Sequence, residues 1–293
     1  MKRIWNSLTN FFKDKAKANF WLYTLPIQII GWCILPIMAF NGDWNYLWLS
    51  LITYFLFGCV GMAIGLHRYW GHGAFEMPKW KERIMTTCSV FNGYGAIFPW
   101  VMIHTNGHHK NADQEGDPHS PLQGFFHAFL TWHKEQKYFD EHIDRRVLVK
   151  YIRRGFVSDK YYQFLNDNHL AINYGTVGLA WLIFGWQVAL YGIVFGIWAT
   201  LMNTSTVTAF SHYSWFGYRN YETKDNSVNN RIGSILTWGE MLHNNHHRYW
   251  NAQSNSQHWS EIDVSGWVIK LSLIHISEPT RPERIGCGVL GVK

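Results

Sequence analysis

Residues 46–72 have the sequence YLWLSLITYFLFGCVGMAIGLHRYWGH, in which an apolar stretch runs directly into two histidines. The stretch from Tyr46 to Leu66 carries no charged residue and has about the length of the roughly 20 apolar residues that a helix needs to cross a bilayer. Imidazole is a good ligand for iron, zinc, copper and nickel. The stretch therefore predicts a membrane helix with metal-binding side chains at one end.

Three further apolar stretches predict membrane helices: Phe20–Phe40, Leu170–Phe184 and Ala189–Met202. The connections at residues 41–45 and 185–188 are short, so the four helices should form two hairpins. Mean hydropathy is only -0.16 because polar segments separate these stretches. We predict an all-α membrane protein with four transmembrane helices and a cytoplasmic helical cap that carries a histidine-rich dimetal site.

The distribution of charge predicts the orientation. Five cations precede the first apolar stretch: Lys2, Arg3, Lys13, Lys15 and Lys17. By the positive-inside rule, both termini and the site should be cytoplasmic. As a separate expectation, the multi-pass protein should lie in a bacterial inner membrane rather than in the endoplasmic reticulum. The net charge of +6 is no sign of nucleic-acid binding, because the basic residues adjoin membrane segments.

The polar regions between the spans predict helices that do not cross the membrane. Residues 82–101 are apolar, but Gly93, Gly95 and Pro99 favour a broken or interfacial helix. Residues 134–168 should form soluble helices over the membrane face. Their arginines are either an ordinary positive-inside surface or a docking site for phosphates or an acidic electron donor: Arg145, Arg146, Arg153 and Arg154.

Eight of the 16 histidines fall into three clusters: His67 and His72; His104, His108 and His109; His243, His246 and His247. One metal ion usually takes three or four such ligands, so two ions are expected. On an α-helix, residues four apart share a face, so His104 and His108 should lie together, and a histidine doublet should reach two neighbouring ions. His67 and His72 would converge only if their helix ended near Gly71. We therefore predict that this cluster lies at a helix C-terminus, where Gly71 and Gly73 supply the break.

The chain closely resembles the integral-membrane fatty acid desaturases, in particular the Δ9 acyl-CoA desaturase-like branch. The resemblance runs from about residue 20 to 271 and rests on HRYWGH, HHKNADQEGDPHSP, SHYSWFGYRNYETKDNSVNN, GEMLHNNHH and WSEIDVSGWVIKL. It implies a desaturase domain over residues 1–270 and a diiron centre held by the eight clustered histidines and by His212. Two departures are the three residues between His104 and His108, where the branch usually has two, and Thr208, where it has an asparagine that holds a metal-bound water.

The resemblance implies an enzyme that introduces a cis double bond, at Δ9, into a saturated acyl chain with O2 and two external electrons. No catalytic residue beyond the metal ligands and no site for another cofactor is predicted. The expected partners are a fatty acyl thioester or lipid, membrane lipids and a separate electron donor of the ferredoxin, rubredoxin or cytochrome b5 type, since the sequence contains no motif for an electron-carrying cofactor. The alternatives are a diiron acyl or alkane hydroxylase, a zinc-dependent hydrolase, and a metal transporter or metal-binding membrane protein.

Residues around the clusters have candidate supporting roles. Carboxylates that could orient ligating rings are Asp113, Asp117, Asp225 and Glu240. The substrate should enter a narrow apolar tunnel, and Gly61 and Gly65 are either its walls or small residues that allow helices to approach closely.

The C-terminal residues differ in character from the rest. The string LSLIHISEPTR, from Leu271, is what a common transposon-based sequencing adapter encodes. We therefore expect residues 271–293 not to belong to the natural protein, and we assign no function to His275 or Cys287.

Overall fold

The computed structural model describes residues 15–142 and 145–274. Within these ranges the regular secondary structure is helical, and the other regular pairings are two isolated β-bridges, Tyr218–Asn229 and Asn229–Leu242. The main helices are, in chain order, α1 Lys15–Asn41, α2 Trp44–His72, α3 Lys79–Cys88, α4 formed by Ile97–Ile103, His104–His108 and His109–Asn111 in succession, α5 Gln136–His142, α6 Arg145–Arg153, α7 Lys160–Asp167, α8 His169–Phe184, α9 Val188–Phe210, α10 Arg231–Leu236, α11 His243–Arg248 and α12 Val264–Ile274. Short helical turns occur at Ser89–Phe91, Pro121–Gln123, His127–Thr131, Trp132–Lys134 and Ser214–Phe216.

Three of these helices, α1, α2 and α9, are long and apolar enough to cross a membrane. Many of their outward-facing side chains are large and apolar; Phe40, for example, is 92% exposed. So much exposed apolar surface would be unfavourable in water and suits a lipid environment. The fold is thus an all-helical membrane protein. Helix α8 is apolar but only 16 residues long, so the fourth crossing stays a prediction.

Small residues and buried hydroxyl groups hold the long helices together. A Cβ on Gly31 of α1 would lie 2.0 Å from the ring of Trp198 on α9, so only glycine allows this approach. On α2, the hydroxyl of Ser50 donates to the carbonyl of Tyr191 at 2.6 Å, and that of Thr53 donates to the carbonyl of Gly192 at 2.8 Å. These contacts fix the rotation of α2, and therefore the direction in which its histidines point.

The segment between α3 and α4 is broken as predicted. Gly93 and Gly95 have φ angles of 81° and 114°, which a residue with a side chain rarely adopts. The side chain of Asn92 closes the turn: its Oδ1 accepts from the backbone N–H groups of Tyr94 and Gly95. The chain reverses here and returns α4, with the second histidine cluster, to the end of α2.

The polar region after α4 contains helices α5, α6 and α7, as predicted. Arg154, which follows α6, donates to the backbone carbonyls of Tyr69 and Trp70 in the last turn of α2. This half-buried arginine therefore caps a helix C-terminus, where a cation is favourable. It supports the histidine-bearing end of α2 rather than forming part of a free basic surface.

Helix α12 extends to Ile274 and so continues past the predicted boundary at residue 270. His275 and Cys287 lie outside the described residues, and the non-natural origin of residues 271–293 stays a prediction. The cysteines within the described ranges, Cys33, Cys59 and Cys88, are free thiols.

Candidate metal centre

All nine predicted histidines meet in two adjacent groups. In each group, one nitrogen per ring lies within 4.8 Å of the nitrogens of all the others. The five-histidine group consists of His67, His72, His104, His109 and His246. The four-histidine group consists of His108, His212, His243 and His247. Rings that are far apart in sequence thus converge on two neighbouring points, as a dimetal site requires.

The winding of the helices decides which rings share a group, and the pairing predicted for His104 was wrong. The first cluster does lie at a helix C-terminus, as predicted, but the break is at Gly73, whose φ is 65°, and α2 continues through Gly71 to His72. Its second half, Phe55–His72, has π-type i→i+5 hydrogen bonds, as do residues 104–108 of α4. This winding brings residues five apart onto one face. His67 therefore joins His72, and His104 joins His109 instead of His108.

Helix α11 has ordinary α-helical winding, so His243 and His247, four residues apart, lie in the same group. His246 points to the other group. The adjacent pair His108 and His109 divides in the same way. Each histidine doublet thus points one ring into each group, as helical geometry predicts, and the binding of an ion by each group stays a prediction.

The facing nitrogens need a cation between them. Facing Nε2 atoms are separated by distances from 2.9 Å, between His67 and His246, to 3.3 Å, between His72 and His104. His108 and His247 each contact a carboxylate through Nδ1, yet their Nε2 atoms lie 3.2 Å apart. A neutral imidazole that donates from Nδ1 has a lone pair on Nε2, so two lone pairs face each other here. A shared positive ion removes the repulsion, and the residues therefore fit a metal.

Four carboxylates contact the outer nitrogens of these rings. Nδ1 of His212 lies 2.8 Å from Asp113, and Nδ1 of His247 lies 2.8 Å from Asp225. The other two pairs are His108 with Asp117, at 3.1 Å, and His67 with Glu240. These are the four carboxylates expected from the sequence. Each fixes the orientation of a ring and directs its Nε2 lone pair inward.

Burial keeps most rings outside the membrane helices in the neutral form. Burial and the neighbouring imidazoles lower the pKa of His104, His109 and His246 well below the ordinary value. His212 differs: burial lowers its pKa, but the hydrogen bond and charge of Asp113 outweigh that effect and raise it overall. Neutral imidazole is the form that binds metal ions. His104, His109 and His246, all in the five-histidine group, are therefore ready to bind a metal ion rather than a proton.

A narrow cavity of about 40 Å³ adjoins both histidine groups. Its apolar wall includes Met62, Ala63, Trp100 and Val207. Gly61 and Gly65 do not line it. A Cβ on Gly61 would lie 2.7 Å from the backbone of Cys88, so of the two roles considered for these glycines, close helix contact is correct.

Thr208 and His119 are among the polar residues that line the same cavity. The hydroxyl of Thr208 donates to the carbonyl of Ala128 at 2.9 Å, so its proton is engaged by the backbone. His119 was missed by the sequence argument. It is 3% exposed, its ring centroid lies 4.2 Å from that of His108, and its Nδ1 has no hydrogen-bond partner within the described ranges. Because it stands eleven residues after His108 and outside the clusters, spacing gave no signal for it.

The family of the chain follows from comparison with known proteins. Residues 44–262 match the model of the family described as fatty acid desaturase. The match covers all nine histidines and the carboxylates that contact them. The chain therefore belongs to the fatty acid desaturase family.

Curated relatives are similar over most of their length. The sn-1 stearoyl-lipid 9-desaturase of Synechocystis sp. is 30% identical over 237 residues, 80% of this chain and 72% of the relative. The Delta-9 acyl-lipid desaturase 2 of Arabidopsis thaliana is 27% identical over 92% of this chain and 84% of its own. The acyl-CoA 5-desaturase AL21 of Anemone leveillei is 30% identical over 88% and 81%, respectively.

These similarities confirm the resemblance to the Δ9 branch, and they identify the chain as an acyl desaturase, an oxidoreductase of lipid metabolism. They do not favour the hydroxylase, the hydrolase or the transporter alternative. A helical membrane protein with a histidine-rich site that can hold metal is consistent with this activity.

Proposed function

We propose that this protein is a diiron desaturase that introduces a cis double bond at Δ9 into a saturated acyl chain, with O2 as the oxidant and two electrons from a separate donor. The observation that carries the proposal is the division of nine buried imidazoles between two adjacent groups. Tetrahedral zinc takes four ligands, so nine nitrogens exceed the needs of a zinc site. Imidazole donors with additional open positions suit iron.

Each group would hold one ion through the Nε2 atoms that point into it. When bound, the two irons would activate O2, the oxidant, so that it can remove hydrogen from unactivated C–H bonds, which no protein side chain can do. The balance is –CH2–CH2– + O2 + 2 electrons + 2 H⁺ → –CH=CH– + 2 H2O. The protein contributes the position of the acyl chain, the exclusion of bulk water and the fixed orientation of the rings.

The cavity is the natural place for the reacting methylenes. Met62, Ala63 and Val207 form an apolar wall opposite the rings of His67, His104 and His108. An acyl chain held there would lie beside both metal positions. Van der Waals contact along such a wall fixes which carbons face the metals, and this sets the position of the double bond.

The substrate is an acyl group on a lipid or on coenzyme A, since the relatives' names include both kinds. We place the protein in a bacterial inner membrane. It would cross the membrane four times, with α8 as the fourth crossing, and its metal site would lie on the cytoplasmic side. The donor would be a ferredoxin, rubredoxin or cytochrome b5 type protein.

Expression of the full chain in a host without its own Δ9 desaturase tests the proposal. Mass spectrometry of membrane fatty acids should show new cis-Δ9 chains, and the purified protein should contain about two irons. A His246→Ala variant should produce none. A hydroxylated acyl product, or saturated lipids despite an iron-loaded protein and a reduced donor, would overturn the proposal.

A further inference from the structure

Histidines of the metal centre line one depression of the protein surface. Its floor is formed by His72, His109 and His247, which belong to the two histidine groups. The side chain of His247 is only 3% exposed, so the rings are buried on this side too, but they line the depression directly. An electron arriving at this depression would reach the metals through these rings.

The rim of the depression is basic. Its four cations are exposed and form no ion pair with any described residue: Lys110, Lys150, Lys224 and Arg248. Two acids also lie on the rim, but Asp225 is engaged by His247, which leaves Glu222 as the one exposed carboxylate there. The four cations outnumber the two carboxylates, so the rim carries a net positive charge.

A tryptophan connects this surface to the metal centre. Trp250 is 49% exposed, and its ring centroid lies 5.7 Å from that of His72 in the five-histidine group. A large aromatic side chain left half in water next to a buried ring is typical of a contact surface, where its flat face can be covered by a partner. It also provides a direct path of two touching rings from the surface to the site.

We propose that the basic depression is the docking site of an acidic one-electron carrier protein and that Trp250 forms the contact between that protein and the metal centre. The inference rests on the proposed function, because each turnover requires two electrons. Two reduced carriers would dock in succession and each would give up one electron. The electrons, two protons from solvent and two hydrogens from the acyl chain reduce O2 to two waters.

A phosphate-bearing acyl carrier is the competing occupant, and the arrangement of the cavities disfavours it. The depression and the apolar cavity share no lining residue, and the histidine rings lie between them. An acyl chain attached to a group bound in the depression would have to pass through the metal ligands to reach Met62 and Ala63. A protein that only delivers electrons has no such constraint.

The test uses the full-length, iron-loaded protein in detergent and a reduced acidic [2Fe–2S] ferredoxin as the probe. Stopped-flow absorbance measures the second-order rate of ferredoxin oxidation for the wild type, for Lys150→Glu with Arg248→Glu, and for Lys160→Glu. Lys160 is an exposed lysine outside the depression and serves as the control. Sodium dithionite, which needs no docking site, reports whether the metals are intact.

The double variant should slow ferredoxin oxidation by roughly tenfold or more at low ionic strength, and the difference should shrink as salt is added, because steering by exposed charges is screened. Lys160→Glu and all dithionite rates should match the wild type. Trp250→Leu should lower the limiting electron-transfer rate at saturating ferredoxin while the salt dependence is unchanged.

Equal ferredoxin rates in the double variant and the Lys160→Glu control would overturn the proposal. So would a raised KM for acyl-CoA with an unchanged ferredoxin rate, which would assign the depression to a phosphate group. Failure of the proposed function is distinguishable from both: ferredoxin would then reduce the metals with the expected charge dependence, but no double bond would form.

Discussion

Arg68 and Asp263 form a two-point ion pair in the interior, with Nη1 2.8 Å from Oδ2 and Nη2 3.0 Å from Oδ1. The side chains are 1% and 0% exposed. Arg68 also donates to Glu240, whose other oxygen contacts Nδ1 of His67. This chain of contacts links the start of α12 to the first histidine cluster through the residue that follows His67.

Replacing Asp263 with asparagine should destabilise the protein by up to about 3–5 kcal/mol, because the buried Arg68 keeps Glu240 but loses the other of its two counter-charges. The loss should appear as a lower unfolding temperature of the detergent-solubilised protein, followed by intrinsic fluorescence. Asp167→Asn, at an exposed carboxylate, is the matched control and should unfold like the wild type. An unchanged unfolding temperature for Asp263→Asn would show that the pair does not support the fold.

The carboxylates that contact Nδ1 of the histidine rings give a second prediction. Asp225 fixes His247, so Asp225→Asn should weaken metal binding by about 10- to 100-fold by loosening that ring and removing a negative charge. Iron titration of the apoprotein measures the change. Glu115→Gln alters an exposed carboxylate near the second cluster and should bind iron normally. Equal affinities for the two variants would contradict the orienting role of Asp225.

The sequence allowed much of this arrangement to be predicted because its strongest signals are local. Uncharged stretches gave the long helices α1, α2 and α9, and the glycines at 93 and 95 gave the break before α4. Clustered histidines, with His212 from the family resemblance, gave the nine rings that converge. Each of these signals depends on a few neighbouring residues.

The features that the sequence did not predict correctly, or did not decide, have a different origin. The pairing of His104 with His109 depends on i→i+5 winding, and nothing in the local composition distinguishes this from an ordinary α-helix. His119 approaches His108 only because the chain folds back after Asp117. The role of Gly61 depends on the backbone of Cys88 on another helix. Such features are set by tertiary contacts.

The unequal histidine groups give a third prediction. His246→Ala leaves four nitrogens in its group, whereas His212→Ala leaves three in the other. His212→Ala should therefore lower the iron content from about two toward one per protein, and His246→Ala should retain more of the second iron. Both should abolish desaturation.

The test is the number of irons per protein in the purified His212→Ala and His246→Ala variants, measured by mass spectrometry. His258→Ala removes an exposed histidine away from both groups and should keep the wild-type iron content. If His246→Ala lost as much iron as His212→Ala, the difference in ligand number would have no bearing on metal retention.

The cavity gives a fourth prediction, through two neighbouring residues of α2 with different surroundings. Ala63 lines the cavity of about 40 Å³, so Ala63→Leu should fill part of it. Conversion of the longest acceptable acyl chain should then fall by roughly tenfold or more relative to shorter chains, since a few methylenes of apolar contact decide such preferences. Gas chromatography of the products formed from a series of saturated chains measures the shift.

Gly61→Ala is the matched comparison, because its new methyl group would meet the backbone of Cys88 instead of the cavity. It should destabilise the protein by about 1–3 kcal/mol through overpacking and leave the ratio of long to short products unchanged. A changed ratio in Gly61→Ala together with an unchanged ratio in Ala63→Leu would mean that the acyl chain lies along a different face of α2. The chain-length preference would then have to be set by residues outside this cavity.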